Sequence, residues 1–73
     1  MDKETEMIML GIRRDCLVVD GCIDPDVWEA LGYAYEVIGA ESNAASCHRR
    51  AEAYALRRNV SWIAYERRVV DKA

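Results

Sequence analysis

Three cysteines and a single histidine are the residues of this 73-residue chain best suited to bind a metal ion or act as a nucleophile: Cys16, Cys22, Cys47 and His48. Structural zinc sites use ligand pairs at short, fixed spacings, and this spacing is not one of them. Neighbours on a helix point in different directions, so Cys47 and His48 do not form a nucleophile pair. Because the cysteine count is odd, we expect three reduced thiols rather than a disulfide framework, with no metal site and no cofactor.

Catalytic motifs are absent from the sequence. It contains no Gly-x-Ser-x-Gly, no phosphate-binding loop and no Gly-x-Gly-x-x-Gly. Glu29 and Glu36 share one face of a predicted helix, but we expect them to be exposed, without the apolar pocket that tunes a carboxyl group for acid–base work. We therefore expect no catalytic residue and no enzymatic activity.

Carboxylates and aromatic side chains are concentrated between residues 24 and 36, and all six aromatic residues of the chain are Trp or Tyr. Such aromatics are enriched at protein interfaces, although they also occur at the edges of cores. A carboxylate array can occupy a basic surface that normally holds nucleic acid. The sequence therefore predicts an acidic, aromatic face that binds another protein, with a nucleic-acid-binding protein as one candidate partner. Its predicted residues are Asp24, Asp26, Trp28, Glu29, Tyr33 and Glu36.

Three arginine doublets recur in the last third of the chain, and Arg50, Arg57 and Arg68 project from one side of the predicted helix. A basic helical stripe can track phosphates, so the alternative function is a small DNA-binding transcriptional regulator. The acidic isoelectric point, about 5.0, argues against a dedicated nucleic-acid binder.

The charge is divided unevenly along the chain. Residues 1–42 contain three basic and ten acidic side chains, a balance of −7, whereas residues 43–73 contain seven and three, a balance of +4. Three interpretations stay open: solvated charges within one subunit, pairing between subunits, and binding of a charged partner.

The best-defined local signal is the start of a helix over residues 25–40. Asp24 occupies the N-cap position and Pro25 the first helical position, while Ile23 and Trp28 have the spacing of a hydrophobic staple. The predicted apolar stripe of this helix consists of Val27, Leu31, Ala34 and Ile38.

A second, longer helix is predicted over residues 43–70, where neither Gly nor Pro occurs, with Ser42 or Asn43 as its cap and a weak point at Asn59–Ser61. It has two apolar faces where a surface helix needs one, so the second is expected to be covered by the N-terminal segment, another subunit or a different protein. The residues predicted for dimer or partner packing are Tyr54, Leu56, Trp62, Ile63, Tyr65 and Val69.

The N-terminal segment, residues 5–19, has a pattern that fits two kinds of structure. Ile8, Ile12, Cys16 and Val19 follow a helical spacing, whereas residues 16–19 also resemble a strand. We favour a helix because the sequence offers no second strand within the subunit. No signal peptide and no membrane span is apparent, so we expect a cytoplasmic protein that does not bind membranes.

Together these patterns predict an all-α domain over residues 1–73, with two or three helices built on an antiparallel helical hairpin. A chain this short forms a marginal core alone, so a homodimer is expected. The predicted function is a non-enzymatic protein–protein interaction module, a small inhibitor or adaptor that blocks a partner surface. In size, acidity and lack of catalytic motifs the chain resembles inhibitors encoded by phages and mobile elements, including anti-CRISPR proteins; the resemblance involves no shared motif.

Overall fold

The computed structural model describes the backbone of residues 2–72 and the side chains of residues 2–58. This part of the chain forms three helices, α1 (Lys3–Val19), α2 (Pro25–Val37) and α3 (Glu41–Lys72), and contains no strand. The prediction of an all-α fold is confirmed. Within the same residues, no helix has a stretch long and apolar enough to cross a bilayer.

Helix α1 settles the ambiguity of the N-terminal segment in favour of a helix. It begins at Lys3, two residues before the predicted start, because Asp2 caps it: the Thr5 backbone N–H donates to Asp2 Oδ1 at 2.7 Å. This hydrogen bond stabilises the carboxylate and lowers the pKa of Asp2. The helix ends at Asp20 and Gly21, where Gly21 adopts a φ of +66° that other residues rarely adopt.

Helix α2 begins where the sequence predicts. Asp24 Oδ1 accepts a hydrogen bond from the Asp26 backbone N–H at 3.0 Å, and Pro25 occupies the first turn. The helix ends at Val37 rather than at residue 40. Gly39, at a φ of +78°, reverses the chain so that the Ala40 backbone N–H donates to the Tyr35 carbonyl at 2.9 Å.

Helix α3 begins at Glu41, two residues before the predicted start. Ser42 and Asn43 therefore lie inside its first turn, and neither is the cap; the Ala40 carbonyl already accepts from the Ala44 backbone N–H at 3.0 Å. The backbone stays helical through Asn59–Ser61, the predicted weak point. With 32 residues, α3 is ~48 Å long, against ~20 Å for the 13 residues of α2.

The core lies between α2 and α3. Its buried hydrophobic residues are Trp28, Leu31, Tyr35, Ala44, Cys47 and Ala51. The core stripe of α2 thus differs from the predicted one, since Val27 is exposed and Ala34 and Ile38 are half-buried. Trp28 and Tyr35 lie two turns apart on one side of α2. Burying two large rings removes more apolar area from water than burying Val27 and Ala34, so the helix is rotated towards the rings.

Helix α1 packs against this core through one of its two apolar sides. Met7, Leu10 and Leu17 contact the core cluster. The residues whose helical spacing indicated an apolar face point away from it, and we call them the outer stripe: Ile8, Ile12, Cys16 and Val19. Helix α1 is therefore apolar on two opposite sides, and the described side chains of residues 2–58 cover only one of them.

Candidate protein-binding face

His48 of α3 lies between two carboxylates of α2. Its Nδ1 is 3.5 Å from Glu29 Oε1, and its Nε2 is 3.4 Å from Glu36 Oε1. The two glutamates are seven residues apart and therefore project from the same side of α2. The His48 side chain of α3 therefore contacts side chains two turns apart on α2.

Gly32 makes this arrangement possible. A Cβ atom at position 32 would lie 2.7 Å from His48 Cε1 and 2.9 Å from both ring nitrogens, closer than such atoms approach. The Tyr33 ring meets the imidazole edge-on, with centroids 4.9 Å apart and planes at 66°. The imidazole is thus held by a glycine beneath it, a carboxylate at each nitrogen and a tyrosine at its edge. We call Glu29, Tyr33, Glu36 and His48 the histidine cluster.

The histidine cluster stays negative whichever protonation state His48 adopts. Two carboxylates face one imidazole, which carries at most one positive charge. Both glutamate side chains are about half exposed, so their charges reach the solvent. The arrangement offers exposed carboxylate oxygens that can accept hydrogen bonds from a cationic group.

A groove of about 370 Å³ continues the acidic surface towards the start of α2. Three carboxylates, those of Asp26, Glu29 and Glu52, and one cation, Arg58, border it, and the small side chains of Ala51 and Ala55 contribute its apolar lining. A carboxylate rim around small apolar residues suits the aliphatic stem and cationic end of a lysine or arginine side chain.

The structure brings together three of the residues predicted for the acidic face and separates the others. Glu29, Tyr33 and Glu36 surround His48, and Asp26 lines the adjacent groove. Asp24 is exposed, but its Oδ1 accepts the capping hydrogen bond of α2.

The assignment of Trp28 to an exposed face needs correction. Its side chain is 1% exposed, its Nε1–H donates to the Cys22 carbonyl at 2.8 Å, and its ring lies 6.4 Å from that of Tyr54. The physical reason is its position on α2, three and seven residues before Leu31 and Tyr35, on the side that packs against α3. Trp28 therefore stabilises the face from beneath and is not available to a partner.

The residues predicted for dimer or partner packing fall into three groups. Tyr54 is half-buried and packs against Trp28 in its own chain. Leu56 is 64% exposed. The remaining four lie outside the described side chains: Trp62, Ile63, Tyr65 and Val69.

The predicted arginine stripe is divided as well. The Arg50 guanidinium carbon lies 4.5 Å above the centre of the Trp28 ring, so this cation stacks on the core tryptophan. Arg57 lines a groove with Ile23 and Tyr54. Arg68 lies outside the described side chains, and nucleic-acid binding by this stripe stays a prediction.

Sequence reasoning missed His48 as the centre of the site. Two signals were present: glutamates seven residues apart on α2, and a glycine between them inside a helix, where glycine is otherwise unfavourable. Among the described residues, no group of three or more candidate ligands is placed to bind a metal ion.

Comparison of the chain with protein-family models, with curated protein sequences and with solved structures finds no match. The geometry of the histidine cluster and its adjacent groove therefore carries the functional argument.

The three thiols, which are not bonded to one another, differ in accessibility: Cys16 is exposed, Cys22 half-buried and Cys47 buried. Burial raises the pKa of Cys47, against the opposing effect of Arg14 and Arg50. Because alkylation requires an accessible thiolate, we expect Cys47 to react about 100-fold more slowly in the native protein than in guanidinium chloride. Timed alkylation with peptide mass spectrometry measures both rates. Equal rates would show that the Cys47 region opens freely.

Proposed function

We propose that this protein is a non-enzymatic protein-binding module, a small cytoplasmic inhibitor or adaptor that blocks a basic surface of its partner. In this proposal α2 and α3 form an antiparallel hairpin that presents the acidic face, and the protein is a homodimer. The contacts of Trp28 with Tyr54 and of Gly32 with His48 support the hairpin, since they join successive turns of α2 to α3 in reverse order along the chain.

The observation that carries the proposal is the position of His48 between Glu29 and Glu36. Flexible surface carboxylates lose side-chain entropy when they bind a partner. Here the imidazole restrains both carboxylates before binding, while leaving each about half exposed. Tyr33 lies beside them with an exposed ring, and such amphipathic rings are enriched at interface hot spots.

The chemistry of the face indicates the partner. Carboxylates of the histidine cluster and the groove select lysine and arginine side chains, which are concentrated on surfaces that bind phosphates. A protein that occupies such a surface through carboxylates would exclude nucleic acid from it by competition. The resemblance in size and charge to phage-encoded inhibitors, including anti-CRISPR proteins, agrees with this mode of action and supplies no partner.

Two double variants with the same change of charge test the face. The variant E29Q/E36Q removes the two carboxylates of the histidine cluster, and the control E4Q/E6Q removes two from the first turn of α1. We expect the wild-type protein and the control to capture the same partner from a host extract, and E29Q/E36Q to bind that purified partner at least about tenfold more weakly in calorimetry.

Equal affinity of all three proteins for the partner would contradict the acidic-face proposal. The DNA-binding alternative predicts a different pattern, in which the wild-type protein shifts duplex DNA at low salt and Arg57→Ala weakens that shift. In that outcome the arginines rather than the histidine cluster would carry the function.

A further inference from the structure

The outer stripe of α1 is an apolar surface without a cover among the described residues. Ile12 is 59% and Val19 83% exposed, and Ile8 and Cys16 are exposed beside them. Their spacing of four, four and three residues places them on one side of the helix, opposite the side that packs against the core. A folded monomer rarely exposes so continuous an apolar stripe, and this one therefore indicates a docking surface.

The part of α3 that extends beyond the start of α2 is similar in length to α1. The first residue of α2, Pro25, lines a groove together with Arg57 and Arg58, so α2 begins level with these residues. Helix α3 continues from there to Lys72, 14 residues or ~21 Å further. Helix α1, with 17 residues, is ~26 Å long. We call residues 59–72 the overhanging part of α3. This part and helix α1 are similar in length.

The charges beside these two surfaces are opposite in sign. Asp15 and Asp20 line a shallow groove with three residues of the outer stripe, Ile12, Cys16 and Val19. Arg57 and Arg58 are exposed where the overhang begins, and residues 59–72 of the sequence add Arg67, Arg68 and Lys72 against Glu66 and Asp71. Asp15 also lies 4.0 Å from Arg14 of its own helix, but both aspartates are exposed, and they are opposite in sign to the basic residues of α3.

We propose that the occupant of the outer stripe is the overhanging part of α3 from a second copy of this chain. The exchange is reciprocal, because each copy offers one outer stripe with Asp15 and Asp20 beside it and one basic α3, and two such contacts related by a two-fold axis form a closed dimer. This inference rests on the homodimer of the proposed function and names its surfaces. It leaves the histidine cluster, on α2 and the first half of α3, open to a partner.

A single substitution in the outer stripe tests the proposed contact between the two copies. We expect the wild-type protein to have a mass of about twice 8.3 kDa in sedimentation equilibrium at micromolar concentration, and Ile12→Arg to sediment as a single chain. Because Ile12 points away from the core, the far-UV circular dichroism of the variant should stay helical. The matched control is Val37→Arg, which places the same charge at a position of α2 that is 85% exposed, and it should stay dimeric.

Charge reversal supplies a test that does not depend on one apolar side chain. We expect D15R/D20R and R57E/R58E each to raise the dissociation constant of the dimer at least about tenfold, since each places like charges on the two contacting surfaces. The chain that combines all four substitutions restores opposite signs and should recover dimerisation. Alkylation of Cys16 gives a second readout, slow in the wild-type dimer and fast in the Ile12→Arg monomer.

Three outcomes overturn the inference: a wild-type protein that stays monomeric, a dimeric Ile12→Arg variant, or a fourfold variant without recovery. The proposed function fails separately. If Ile12→Arg is monomeric and still binds the partner more tightly than E29Q/E36Q does, both the dimer and the acidic face are supported. If the protein is a dimer but E29Q/E36Q binds the partner as tightly as the wild-type protein, only the acidic-face proposal is overturned.

Discussion

Replacing Trp28 with alanine is expected to lower the free energy of unfolding by about 3–5 kcal/mol. The side chain is almost wholly buried and contacts Tyr54 on α3, and its loss leaves a cavity between the two helices. The substitution also removes the indole hydrogen bond to Cys22 and the ring on which Arg50 stacks. A 73-residue domain has about 4–11 kcal/mol of stability in total, so the substitution removes from about a quarter to all of it.

Urea denaturation followed by far-UV circular dichroism measures this effect. Val37→Ala is the control, because its side chain is 85% exposed and its loss should change the free energy by no more than about 0.5 kcal/mol. Trp28→Phe keeps an aromatic ring but not the indole donor. Its free energy of unfolding should lie between those of Trp28→Ala and Val37→Ala. A Trp28→Ala protein as stable as the Val37→Ala control would contradict the placement of this ring in the core.

Gly32→Ala is expected to lower the free energy of unfolding when position 48 is histidine and to raise it when position 48 is alanine. In the wild-type protein the new Cβ would overlap three atoms of the His48 ring, which must move out from between Glu29 and Glu36. We expect a loss of about 1–3 kcal/mol of unfolding free energy. In a His48→Ala background the ring is gone, and alanine should stabilise the middle of α2 by up to about 1 kcal/mol over glycine.

A double-mutant cycle of these two substitutions measures the coupling between positions 32 and 48, which we expect to be about 2 kcal/mol. The nuclear magnetic resonance signals of the His48 ring provide a structural readout, since they should shift in Gly32→Ala as the ring leaves Tyr33. If Gly32→Ala had the same effect in both backgrounds, the glycine would serve helix α2 alone and the packing of His48 on it would be wrong.

Features fixed by neighbouring residues could be predicted from the sequence. The start of α2 depends on Asp24 and Pro25, whose hydrogen bonding and ring geometry act within one turn, and the structure has the cap there. The helical class follows from composition and from the lack of Gly and Pro after Gly39. The end of α2 was displaced by three residues and the start of α3 by two, because a glycine that reverses the chain does so just after the last helical turn.

Features that depend on which helix packs against which could not be predicted in the same way. Helix α1 has two apolar sides, and its sequence does not distinguish the side with Leu10 from the side with Ile12. The choice is made by the shape of the α2 and α3 surface. The same holds for His48, whose role arises only when α3 lays it over Gly32, so a lone histidine beside a cysteine offered no local signal.

The hydrogen bond from the Trp28 indole to the Cys22 carbonyl joins the link after α1 to the centre of the molecule. If α1 and this link separated from α2, a nearly buried donor would lose its acceptor, and the Met7 and Leu17 side chains would leave the core edge. Opening of this link therefore destabilises the core between α2 and α3, although α1 itself contains no buried residue.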